Sequence, residues 1–86
     1  MKVSIPTPLR SYTNERRDVD AHGATLMEVL HDLDRQYPGI RFRMVDEQGA
    51  IRPHIRIWRN LEPIRSLSVA VRDSDEIVII QALSGG

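Results

Sequence analysis

Cysteine is absent from the 86 residues, and with it go disulfides, thiolate metal sites and thiol nucleophiles. Net charge is absent as well. Twelve Lys and Arg are matched by twelve Asp and Glu, which argues against nucleic acid or an anionic membrane as the main partner. No apolar run is long enough to span a bilayer, and Met1-Lys2-Val3 opens no signal-peptide pattern, so the expected location is the cytoplasm. His22, His31 and His54 fall on separate predicted elements without metal-ligand spacing. The twelve-residue calcium-loop pattern is missing, so Asp73, Asp75 and Glu76 read as a solvated turn rather than a cation site. Asp32 and Asp34 stand two apart on a predicted helix and do not face each other. Nothing here resembles a catalytic triad or a metal centre, and the expectation is a chain that is not itself an enzyme.

What is present fits one small domain. An apolar share of 41% and a charged share of 28% suit an ordinary globule, and the length allows a single core. Val3-Ser4-Ile5 alternates as a half-buried strand does. Pro6 and Pro8 lack ladder donors, which predicts an irregular or edge-like course beyond Ile5. Tyr12 to Glu15 is turn-like, and Arg17 to Ala21 reads as a polar return strand, so the two form a predicted hairpin.

Thr25 followed three residues later by Glu28 is a capping box. Leu26, Val29, Leu30, Leu33 and Tyr37 lie on one helical stripe, and Pro38-Gly39 ends it. Ile40, Phe42, Met44 and Val45 predict a short turn or strand, and Asp46 to Gly49 a loop. His54 to Arg59 alternates strictly, placing Ile55 and Ile57 on one face and Trp58 on the other. Asn60 marks a turn, Pro63 to Arg65 a very short strand, and Arg72 to Glu76 a tight acidic turn feeding Ile77-Val78-Ile79-Ile80. Strands before and after one central helix define an α+β class, with the helix packed across a mixed sheet of four to five strands. If the first and last strands run side by side in parallel, the layout is a β-grasp. Residues 1–80 form the predicted domain.

Residues 81–86 form a predicted tail, Gln81-Ala82-Leu83-Ser84-Gly85-Gly86. Two glycines contribute nothing to folding at a terminus, but they make a thin, flexible thread. Six extended residues reach roughly 20 Å, far enough to carry a terminal carboxylate into another protein's pocket.

The Asp73-Ser74-Asp75-Glu76 turn, the aliphatic strand after it and the terminal Gly85-Gly86 resemble the ubiquitin-like sulfur carriers of the MoaD/ThiS family. Val3-Ser4-Ile5-Pro6-Thr7-Pro8-Leu9-Arg10 and Gly23-x-Thr25-Leu26-x-x-Val29 look most like its cysteine-biosynthesis branch. Ser74 stands where the family usually has Gly. The resemblance implies a sulfur carrier whose Gly86 carboxylate is adenylated and then converted to a thiocarboxylate. Leu83, Ser84 and Gly85 would thread a channel in the activating enzyme. That partner, an E1-like adenylating and sulfur-transferring enzyme, would bring ATP and Mg; no cofactor is expected on the chain itself. The second implied partner is a sulfur acceptor, either a cysteine synthase or the large subunit of molybdopterin synthase. Two other readings stand beside this one: the small subunit of molybdopterin synthase, or a protein modifier forming isopeptide bonds. A plain interaction module is the third. From the alternation alone, Trp58, Val78 and Ile80 form a candidate docking patch on the outer sheet face.

Overall fold

The computed structural model describes residues 1–82. Strand β1 (Lys2–Ser4) lies in the interior of the sheet, antiparallel to β2 (Asp18–Asp20) and parallel to the last strand, β5 (Glu76–Gln81). Strand β3 (Ile55–Arg59) pairs antiparallel with both β5 and the short β4 (Glu62–Ile64), giving the order β2-β1-β5-β3-β4. The parallel β1–β5 pair at the centre, with a single long helix between the flanking hairpins, is the β-grasp arrangement.

The irregular course expected beyond Ile5 is present, though it is not an edge: β1 has partners on both sides, and Ile5 beyond it still donates to the Arg17 carbonyl at 2.8 Å. The prolines act instead as a start signal. Pro6 caps a 3-10 helix over Thr7–Thr13 with Pro8 in its first turn, where a missing N–H costs nothing. This helix buries Leu9 and Thr13, and it replaces the simple turn expected between β1 and β2. A local expectation is corrected at Ile40–Met44, which forms helix α2 rather than the short turn or strand expected. Ile40 and Met44, four apart, are buried, while Phe42 between them is 54% exposed. Asp34 accepts the backbone N–H groups of Gly39 and Arg41, both at 3.1 Å, and so satisfies donors that α2 would otherwise leave unpaired.

Helix α1 (Leu26–Gln36) follows its sequence signals closely. The Thr25 hydroxyl accepts the Glu28 N–H at 3.3 Å, and the Glu28 carboxylate reaches back to the Ala24 N–H at 3.2 Å, one residue earlier than a regular capping box. Two further first-turn donors are taken by the 67–71 connection: Leu26 N–H by the Val69 carbonyl and Met27 N–H by that of Leu67. Tyr37 is the C-cap and packs on the core from outside the helix. Leu26, Val29, Leu30 and Leu33 are buried on α1 and face a sheet surface built from Val3, Val19, Ile55, Ile57, Ile77 and Ile79. Each fully buried leucine contributes roughly 1.5–3 kcal/mol of transfer free energy. The result is a sheet with one face sealed by a helix and the other left open.

Candidate functional site

The open face of the sheet is set by strand alternation. Along β5, Ile77 and Ile79 are 0% and 2% exposed toward the helix, while Ile80 is 46% exposed on the other side. Val78 is half-buried on that same outer side. Register then builds the patch: Trp58 stands opposite Val78 on one neighbour and Pro63 on the other, and Arg56 stands opposite Ile80. The structure therefore brings Trp58, Val78 and Ile80 together as the alternation predicts. Trp58 is half-buried, consistent with its place between two apolar neighbours. Such a cluster is the kind of surface that docking partners use.

Strand β5 takes in Gln81, a residue placed in the tail by sequence alone, and Ala82 donates its N–H to the His54 carbonyl at 2.8 Å. The chain is thus hydrogen-bonded to the sheet up to its last described residue. Leu83, Ser84, Gly85 and Gly86 lie outside the described residues.

At the other end, β5 starts from a polar lock. Asp75 accepts the Arg72 N–H at 2.8 Å with one carboxylate oxygen and the Asn60 side-chain amide at 2.7 Å with the other. Asn60 in turn accepts the Glu76 N–H at 2.9 Å and donates its own N–H to the Glu76 carbonyl at 3.0 Å. The Arg72 N–H and the Asn60 amide hold the Asp75 carboxyl below the usual carboxylate range. Both Asp75 oxygens are thereby engaged by N–H donors, and the acidic turn works as a structural clamp. The Asp75 N–H closes the turn on the Arg72 carbonyl at 2.9 Å. Ser74 is not among the residues with positive φ, so this turn does not need the family's glycine. Sequence spacing could not reveal the clamp, because its halves lie fifteen residues apart.

The remaining polar candidates are dispersed. Asp32 accepts the His22 N–H and pairs with Arg35, and the arginine contact leads in holding its carboxyl low. Asp34 serves α2 as described. His31 is exposed and His54 half-buried. Among the described residues, no group of three or more His, Asp or Glu is placed to hold a metal ion, and no helix is long and apolar enough to cross a membrane.

These features define a ubiquitin-like domain of the β-grasp type. Residues 3–86 match the ThiS family, and the chain belongs to that family of ubiquitin-like sulfur carriers. It is 38% identical to the sulfur carrier protein CysO of Mycobacterium tuberculosis, in an alignment covering 98% of this chain and 96% of the relative. Its fold matches a chain in the crystal structure of the Amycolatopsis orientalis BexX/CysO complex with a TM-score of 0.91 and 36% identity, covering 99% and 98% of the two chains. It also matches the small archaeal modifier protein SAMP1 of Haloferax volcanii, with a TM-score of 0.79 and 28% identity, covering 100% and 98%. Proteins of the ThiS and CysO kind are small carriers rather than catalysts.

Proposed function

We propose that this chain carries sulfur for cysteine biosynthesis as a thiocarboxylate on Gly86. The observation that carries the reading is the family match over residues 3–86 together with near full-length similarity to CysO, a named sulfur carrier. The chemistry explains why a cysteine-free chain suits the task. A carboxylate at neutral pH resists nucleophiles, so the terminal carboxylate attacks the α-phosphorus of ATP, expelling pyrophosphate and forming an acyl-adenylate. A sulfide nucleophile then adds to that carbonyl and AMP leaves, which places sulfur on the terminal carbon. ATP and Mg belong to an E1-like activating enzyme, and the carrier is its substrate. Such a reaction belongs in the cytoplasm, where ATP is available.

Four residues follow Ala82 in the sequence, a length that spans at most about 14 Å. The absence of side chains at Gly85 and Gly86 suits the narrow channel that Leu83, Ser84 and Gly85 thread. A partner holding Gly86 in its active site must therefore rest against the domain itself, and the Trp58, Val78 and Ile80 patch is the surface we assign to it. In the BexX/CysO complex a relative is assembled with another protein, which supports a carrier that works by docking. The sulfur acceptor on this reading is a cysteine synthase.

Similarity to the small archaeal modifier proteins favours a second reading, in which Gly86 forms an isopeptide bond with lysine. Incubation with the activating enzyme, Mg-ATP and sulfide distinguishes the two by intact mass. A carrier gains the mass difference of sulfur for oxygen; a modifier yields lysine adducts with loss of water.

A further inference from the structure

A groove borders the outer face, where the sheet is stepped. Strand β4 pairs with β3 only over Ile57 to Arg59, so the first part of β3 has no neighbour on that side. The connection before β3 closes the far wall, leaving a cavity of about 490 Å³. Its accessible apolar wall comes from Ile51, Pro53 and Pro63, laid over the buried Ile55, Ile57 and Ile64, and Trp58 joins it to the docking patch. Its charged lining is Arg52, Arg56 and Arg65, with no acidic residue among those that border it.

None of these three arginines belongs to an ion pair among the described residues. Arg52 is held in place, with its Nε donating to the Phe42 carbonyl at 2.8 Å and its guanidinium 4.7 Å from the Phe42 ring centre. Arg56 is anchored through Nη1 alone, to the carbonyls of Pro53 and Ile55, and its other nitrogens have no partner among the described residues. Arg65 is exposed, and its side chain makes no hydrogen bond among the described residues. The Arg52 charge also acts on the Asp46 carboxylate, so a balanced chain holds at Arg56 and Arg65 a local surplus of two guanidinium groups beside an apolar wall. Guanidinium forks match carboxylates bidentately.

Strand addition is not how this groove would be filled. Pro63 denies β4 an N–H at its centre, the Ile55 N–H is taken by the Arg52 carbonyl at 2.9 Å, and the Ile55 carbonyl accepts from Arg56. Side chains must supply the contact.

We infer that this groove receives a carboxylate-bearing surface of the activating enzyme, with an apolar side chain seated against Ile51, Trp58 and Pro63 between acidic groups that meet Arg56 and Arg65. The inference rests on the sulfur-carrier reading for the identity of the partner. Its location argues for the same partner: Ile55 stands opposite Gln81 in register, one strand from the point where the tail leaves. A protein that grips the tail within its short reach covers this end of the sheet.

The test is the affinity of the full chain for its activating enzyme, measured by biolayer interferometry across a salt series, beside thiocarboxylate formation by mass. Arg56→Glu with Arg65→Glu should weaken binding about tenfold or more at low salt and flatten the salt dependence. Arg16→Glu with Arg72→Glu makes the same charge change at exposed positions outside the groove, and should change affinity by no more than about twofold. Thermal melts confirm that each variant is folded. Equal losses from both pairs would reduce the effect to net charge and overturn the groove, as would unchanged binding by the first pair. No binding by the wild type overturns it as well. Binding without thiocarboxylate formation leaves the groove standing and removes the sulfur-carrier reading.

Discussion

Replacing Gly23 by alanine opposes two effects of different sign. A glycine-to-alanine change at a position that accepts a side chain stabilises a protein by roughly 0.4–1 kcal/mol, because the unfolded chain loses freedom. Gly23 does not accept one. A Cβ there would sit 2.6 Å from the Val29 nitrogen, 2.7 Å from the Glu28 Cβ and 2.8 Å from the Glu28 carbonyl carbon. Two of these are backbone atoms of the first turn of α1, which cannot swing aside as a side chain could. The neighbouring Ala24 is tied on both sides, to Glu28 through its N–H at 3.2 Å and to the Val71 N–H through its carbonyl at 3.0 Å. Opening the gap therefore disturbs the helix entry and the connection leading to β5 together. Overpacking of this kind costs about 1–3 kcal/mol. After the entropic gain is subtracted, the net loss centres on about 1.3 kcal/mol, which lowers the melting midpoint of a domain this size by roughly 5–10 °C. Circular dichroism melts of wild type and Gly23→Ala measure it directly. A midpoint that stays level or rises would overturn the packing argument at the helix entry.

Leu30 is 1% exposed, so Leu30→Ala should cost about 2–5 kcal/mol in urea unfolding. Trp58→Ala should cost the fold distinctly less while weakening partner binding by about 2 kcal/mol, and a stability loss equal to that of Leu30→Ala with affinity intact would place Trp58 in the core. Leu61 is 88% exposed at a φ of 74°, so Leu61→Gly should raise stability by about 0.5–1 kcal/mol in the same assay, as relief of left-handed strain exceeds the glycine entropy cost. Asp32, Asp46 and Asp75 all have lowered carboxyl pKa values in the folded chain. Their contribution is complete above the unfolded value of about 3.9 and is lost as pH falls from there through the folded values. The melting midpoint should accordingly drop below about pH 4, and Asp75→Asn should lower it at neutral pH while reducing that acid sensitivity. Equal acid sensitivity in wild type and variant would show that Asp75 carries none of it.

Regular periodicity was the readable part of this chain. Helix α1 shows three turns of stripe plus a cap at Thr25, and β3 alternates long enough to assign Ile57 inward and Trp58 outward. Strand β5, by contrast, is apolar at Ile77 to Ile80, and its outward pair is decided by strand pairing. Helix α2 is too short for that. Its Ile40, Phe42 and Met44 alternate as a strand would, and only the depth of Ile40 and Met44 beside an exposed Phe42 separates the two periods. Pro6 and Pro8 illustrate a different difficulty, since the same missing N–H marks a strand edge or a helix start, and the neighbouring strand decides which. Polar partnerships between distant segments were hidden for a third reason. Asn60 and Asp75 meet only once the sheet register exists, and Arg56 and Arg65 border one groove for the same reason.

The proposed function turns on Gly86 as the reacting residue. Intact-mass analysis after incubation with the activating enzyme, Mg-ATP and sulfide tests it, with the modification localised by fragmentation. The wild-type chain should gain the mass of one sulfur-for-oxygen exchange on Gly86, and the chain lacking Gly86 should gain nothing while melting at nearly the same temperature. An unchanged wild-type mass, or an equal gain in the shortened chain, would show that Gly86 does not carry the sulfur.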